Sequence, residues 1–213
     1  LPICHSIVAP VPLLFTFNIK DKRLKDLMGV SVPNATVKLV KTNIESTGPL
    51  LITHWGLSGP VVLKLSAFGA RILAEKNYQY NVEVNWLSKS TDDVLKFLKS
   101  NKESQPKKQV ILKSQFSDIS RRLWEQLVLA SAIKVESRWA DLSNKQLQEL
   151  ANQLTKCQFN ANGKSTFKDE FVTAGGVRLK EINFKRFESK IHKNLFFAGE
   201  VLDIDAVTGG FNF

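Results

Sequence analysis

The spacing of apolar residues changes twice along this chain, and that constrains its fold more than any other feature. Up to about residue 85 apolar residues recur at strand spacing. From about residue 90 the spacing becomes helical, and after Cys157 the strand pattern returns. A helical block therefore interrupts a β unit instead of following it. In the first part, Leu13 to Lys20 puts Phe15, Phe17 and Ile19 on one face, and Asp21-Lys22-Arg23 supplies a turn. Val30 to Val32 and Ala35 to Lys41 bracket a Pro33-Asn34 turn, the second of them bulged or apolar on more than one face. Leu50 to Thr53 is a further short strand, and residues 79–86 alternate cleanly with Tyr80, Val82, Val84 and Trp86 inward. Many short strands separated by turn signals predict a small barrel or sandwich.

The interrupting block predicts three short helices. Thr91 is a candidate cap, with Asp92 and Asp93 in the first turn and Val94, Leu95, Leu98 and Phe97 on the apolar side. Gln105-Pro106 ends that helix. A second runs from Ser120 to Ile133 on Leu123, Trp124, Leu127, Val128 and Ser131, and a third follows Ser143 with Leu147, Leu150, Ala151 and Leu154 on one face. None is long enough to be stable alone, so the three must pack together. After Cys157, Gln158 to Ser165 resembles a hairpin with Asn162-Gly163 at its turn, followed by a strand from Phe167 to Ala174.

Composition removes several classes. A chain of 213 residues, 43% hydrophobic and 23% charged, suits an ordinary globular protein with a substantial core. It has no apolar stretch near the ~20 residues of a membrane span. Cys4 and Cys157 form no C-x-x-C pair, which argues against a disulfide framework or zinc site and for a reducing, cytoplasmic setting. His5, His54 and His192 show no metal-ligand spacing. The net charge of +10 raises nucleic acid as a partner. Against it, cations alternate with acids, as in Lys20-Asp21-Lys22-Arg23-Leu24-Lys25-Asp26, and the densest patches, Lys107-Lys108 and Arg121-Arg122, are only pairs. A solvated surface is the preferred reading.

Three glycine-containing segments are the candidates for chemistry. In Thr53-His54-Trp55-Gly56-Leu57-Ser58-Gly59-Pro60, Gly56 and Gly59 allow close backbone approach and His54 offers a hydrogen bond, while Ser58 can cap a helix that begins near Pro60. From spacing alone, a plain strand-to-helix turn with His54 as a satisfied core residue is the preferred reading. Gly175 and Gly176 in Thr173-Ala174-Gly175-Gly176-Val177 suit either a cofactor or a tight turn. The closing run Leu195-Phe196-Phe197-Ala198-Gly199-Glu200 predicts a buried strand that delivers Glu200 to the carboxyl end of a sheet. Beyond Asp203, Thr208-Gly209-Gly210 can then aim N–H groups at ligand oxygens.

Together, these three segments resemble the bacterial FAD- and NAD(P)-dependent flavoproteins that include aminoacetone-oxidase-like and bile-acid-reductase-like members. The resemblance covers essentially the whole chain. It implies an α+β fold: a small β-barrel insert module at residues 10–85 and 157–172, a helical subdomain inserted at 86–156, and an incomplete C-terminal piece of an α/β FAD-binding domain at 173–213. It implies that Gly175, Gly176, Gly199, Glu200, Asp203, Thr208, Gly209, Gly210, Phe211 and Asn212 belong to the FAD side. The loop of His54, Gly56, Ser58 and Gly59 would cover the flavin or substrate. The implied chemistry is hydride transfer between NAD(P)H, FAD and a small organic substrate. The G-x-G-x-x-G turn of such proteins is absent, and the first residue is not Met. The chain is therefore expected to be a fragment that does not retain FAD tightly by itself. The rival reading is a basic β-barrel that binds nucleic acid or serves as an interaction module.

Overall fold

The computed structural model describes residues 4–164 and 172–204. Its centre is a closed, fully antiparallel barrel of six strands in the order β2 (Phe17–Ile19), β5 (Gly56–Ser58), β4 (Glu45–Ile52), β3 (Ser31–Leu39), β6 (Gln79–Asn85) and β7 (Cys157–Lys164). Closure leaves no unpaired strand edge. The expected α+β architecture, a small barrel with an inserted helical subdomain, is what forms. Alternation fills the interior: Phe17, Ile19, Val37, Leu39, Val82, Val84 and Phe159 are all buried. Val82 faces Leu39 on one side and Phe159 on the other, so one register sets both ladders.

Four local expectations are corrected. Residues 13–20 are not one strand. The chain turns at Leu14 with φ 55°, and β1 (Ile7–Leu13) leaves the barrel to pair with β8 (Val172–Val177). Pro33-Asn34 is a bulge inside β3, between Val32 and Ala35, because proline has no N–H for the ladder and the strand skips past it. Asn162-Gly163 is no hairpin turn. β7 is paired on both sides, and Asn162 lies opposite Gln79. Residues 195–198 form no buried strand: Phe196 makes a single bridge to Glu188 and is exposed, since no described strand runs alongside for longer.

The helices follow the predicted stripes. α1 (Pro60–Glu75) starts on Gly59, not Ser58, which lies in β5. It packs Val61, Val62, Leu65 and Leu73 into the barrel core, and Leu63, Ala67 and Ala70 against Leu13, Leu14 and Ala174 of the β1–β8 ribbon. α2 (Thr91–Ser104) is capped by Ser90, one residue before the expected Thr91, through a bond from the Asp93 N–H. α3 (Arg121–Ala130) and α4 (Asn144–Thr155) are capped by Ser120 and Ser143, the latter in a reciprocal box with Gln146. Trp124 and Trp139 are fully buried among them, in one continuous core with the barrel. The two-residue strands β9 (Ile182–Asn183) and β10 (Glu188–Ser189) follow the ribbon. Among the described residues, no helix is long and apolar enough to cross a membrane.

Candidate functional site

At one end of the barrel, β2, β5 and β7 and the turn after β2 enclose an open groove of about 1000 Å³. Its floor is the Thr53–Gly56 turn, held by a bond from the Thr53 N–H to the Gly56 carbonyl (2.8 Å) and from the Ile19 N–H to the Trp55 carbonyl (2.8 Å). Gly56 is required there. A Cβ would lie 2.2 Å from the Phe17 carbonyl oxygen, so strand packing alone requires a glycine here. The turn presents His54 and Trp55 outward, with ring centroids 6.3 Å apart. His54 is exposed, not a core residue.

The groove walls carry Lys20, Lys22 and Lys25 together with the amides Asn18, Asn160 and Asn162. Asp21 also lines it, but its carboxylate is gripped by Arg23 through Nε (2.9 Å) and Nη2 (2.7 Å). Those bonds hold the Asp21 carboxyl below the usual aspartate range. Arg23 is itself committed: it donates to Gln153 Oε1 and the Gln158 carbonyl and stacks on Phe159 at 4.3 Å. The intervening acid is thus neutralised by its neighbour, and three lysines remain facing one groove. Cations for phosphate, amides for base edges and a part-exposed indole for stacking are the chemical requirements of a nucleotide-binding surface.

Trp55 and the three asparagines were not candidates on sequence grounds. The signal lay in β7, where Asn160 and Asn162 alternate with buried Phe159 and Ala161 and so point away from the core.

The second group of candidates meets elsewhere. Val177 bridges Leu202, and the Asp203 N–H donates to the Val177 carbonyl (3.0 Å), which brings the Gly175-Gly176 pair against Gly199–Asp203. The space at both glycines is taken by the chain itself. A Cβ on Gly175 would lie 2.7 Å from the Ala9 carbonyl oxygen, and one on Gly176 would lie 2.4 Å from that of Val201. The Asp203 carboxylate pairs with Arg71 of α1 at 3.3 Å. Gly199 opens a short 3-10 turn that carries Glu200. Glu200 Oε1 is buried and has no hydrogen-bond partner among the described residues.

That oxygen is the observation that bears on a cofactor. A buried carboxylate oxygen without a donor is costly, so it fits a ligand hydroxyl, whereas a phosphate would be repelled. Thr208, Gly209, Gly210, Phe211 and Asn212 lie outside the described residues. None of Gly175, Gly176, Gly199, Glu200 and Asp203 lines the groove. The candidate residues therefore form two clusters, not one.

The chain is similar over its whole length to a Haemophilus influenzae protein named "Ribosomal RNA dihydrouridine synthase", at 30% identity over 216 residues and 49% of the relative's length. An Escherichia coli protein of the same name is 31% identical over 199 residues, 90% of this chain and 45% of the relative. The "3-dehydro-bile acid delta(4,6)-reductase" of Clostridium scindens is 26% identical over 213 residues, 98% of this chain and 51% of the relative. The chain spans about half the length of these curated relatives. Residues 11–172, which hold the barrel, the helices and the groove, match the family described as "HI0933-like protein barrel and H2TH domain", and the chain belongs to that family.

Proposed function

We propose that this chain is the barrel-and-helix module, with a cofactor-side segment, of a flavin-dependent reductase that acts on uridine in ribosomal RNA. The observation that carries the reading is the groove of Trp55, Lys20, Lys22, Lys25 and the three asparagines. The names of two relatives supply uridine in ribosomal RNA as substrate, and the third names a reduction of a bile acid. Both substrates are reduced at a carbon–carbon double bond conjugated to a carbonyl. The three lysines of the groove favour the RNA, whose phosphates they can pair.

A bound flavin, recharged by NAD(P)H, supplies the hydride for such a reduction. The residues of this chain bind and position. Glu200 accepts a hydrogen bond from a cofactor hydroxyl through its buried Oε1. Gly175, Gly176, Gly199 and Asp203 hold that turn against β8 and α1. Thr208, Gly209, Gly210, Phe211 and Asn212 complete the cofactor side on the strength of the family resemblance. His54 and Trp55 stack on or flank an unstacked base, and the lysines take the neighbouring phosphates.

Two measurements on the full-length protein test this. Its spectrum should show a flavin band that weakens with Glu200→Ala, and a colourless full-length protein refutes the flavin reading. It should also bind a labelled ribosomal RNA stem-loop, with Trp55→Ala weakening binding by roughly tenfold, the typical effect of removing one base stack. Equal affinity of wild type and variant excludes the groove as the RNA surface.

A further inference from the structure

We propose that the helical subdomain carries a second RNA site, a cleft that takes the phosphate backbone away from the reacting base. The cleft has a volume of about 650 Å³ and lies between residues 105–115 and Arg138. Lys107, Lys108, Lys113 and Arg138 line it, and no carboxylate does. In sequence these cations are a pair and two isolated residues, and only the fold brings them together.

The platform beneath them is rigid. Gln109 bridges Arg138 across an antiparallel contact, the Val110 N–H donates to the Ser137 carbonyl (3.1 Å), and the Trp139 N–H to the Lys108 carbonyl (3.0 Å). Trp124 Nε1 donates to the Val110 carbonyl (2.8 Å), and both tryptophans are fully buried. The four cationic residues are exposed on this frame. The ion pairs among the described residues use Arg23, Arg71, Arg121 and Arg186, none of them from the cleft. Asp141 stands close by, but its carboxylate accepts from the Arg138 backbone N–H and is not in the lining.

The high net charge of the chain does not by itself produce such a surface. A smaller cleft between the barrel and α2 is lined by Lys38, Lys89 and Lys156 but equally by Glu45, Glu83 and Asp92, and is balanced. The cleft at Arg138 is cationic throughout, with Gln105, Gln109 and Gln115 as neutral hydrogen-bonding groups. Cations plus amides without acids suit a polyanion held by its phosphates, with little sequence preference. This inference rests on the RNA reading above and adds a second set of cations that share no residue with the groove.

The test uses the full-length protein and a fluorescent ribosomal RNA stem-loop, titrated at several salt concentrations. Substituting Lys107→Ala, Lys108→Ala, Lys113→Ala and Arg138→Ala together should weaken binding at least roughly tenfold. It should also flatten the dependence of log affinity on log salt by about 0.7 for each phosphate that is no longer neutralised. Thermal unfolding should be unchanged because all four are exposed. Restoring charge with Lys107→Arg and Lys108→Arg in an otherwise wild-type protein should keep both affinity and slope. Unchanged affinity and slope in the fourfold variant, beside a wild type that binds, overturns this site and leaves the groove standing. A wild type that binds no RNA overturns both. Loss of binding to anionic lipid vesicles, with RNA binding intact, assigns the cleft to a membrane surface and overturns it as an RNA site.

Discussion

The barrel with its helical insert and the segment after β8 are held together in different ways. The first shares a single core that runs from Phe15 to Ala161 and includes three fully buried tryptophans. The second is built on Val177, Ile182 and Leu202, with Leu179, Phe197 and Ile204 partly buried around them. Buried polar atoms without a hydrogen-bond partner among the described residues occur in both: Tyr80 Oη and Trp139 Nε1 in the first, Glu200 Oε1 and His192 Nε2 in the second, where His5 also reaches Ser189 Oγ at 2.8 Å. One region is a scaffold that closes on itself. The other takes its position from a small apolar cluster and a few backbone bonds.

The contrast can be broken at its strong end first. Trp139→Ala empties a fully buried site and should cost about 3–5 kcal/mol, read as a lower urea midpoint for barrel and helices together. Separate transitions for the two would show that they are not one core.

Burial also pushes the Cys157 thiol up to about 11 from 9.0, with the nearby Arg23 charge opposing it. The fold favours the neutral thiol. Its contribution is therefore complete below pH 9 and is lost as pH rises toward 11, roughly 2–3 kcal/mol in all. Urea titrations of wild type and Cys157→Ala across pH 8–11 should converge at the alkaline end. At pH 8 an alkylating reagent should modify exposed Cys4 and reach Cys157 only on unfolding.

At the weak end, Gly176→Ala forces a Cβ against the Val201 carbonyl at a φ of 138° and should cost about 1–3 kcal/mol. Hydrogen exchange at the Asp203 N–H should accelerate while the barrel midpoint stays put. A shift of the whole transition would erase the distinction between the regions. Arg71→Ala should do least, below about 1 kcal/mol, because the Arg71–Asp203 pair is partly exposed and long at 3.3 Å. Its signature is slightly faster exchange at the same N–H.

The two regions were also unequally legible in the sequence. Strand alternation at 79–86 and the stripe of α4 identified core residues correctly, because the apolar face of each element is the face that the core requires. Pro33-Asn34 and Asn162-Gly163 misled, because turn chemistry is local and strand pairing on both sides overrode it. The glycines of the first and second segments were visible as close-approach positions, but only packing revealed that the approaching atoms belong to the chain itself. The groove was the least legible. Lys20, Lys22 and Lys25 read as a salt-balanced run until the Arg23–Asp21 pairing removed the acid between them.

The most direct test is the mass of ribosomal RNA after incubation of the full-length protein with NAD(P)H. One or more uridine-containing fragments should gain the mass of two hydrogens. Trp55→Ala should demand far more RNA for half-maximal rate while kcat changes little. RNA of unchanged mass, or a Trp55→Ala protein that works as well as wild type at low RNA, would contradict the assignment.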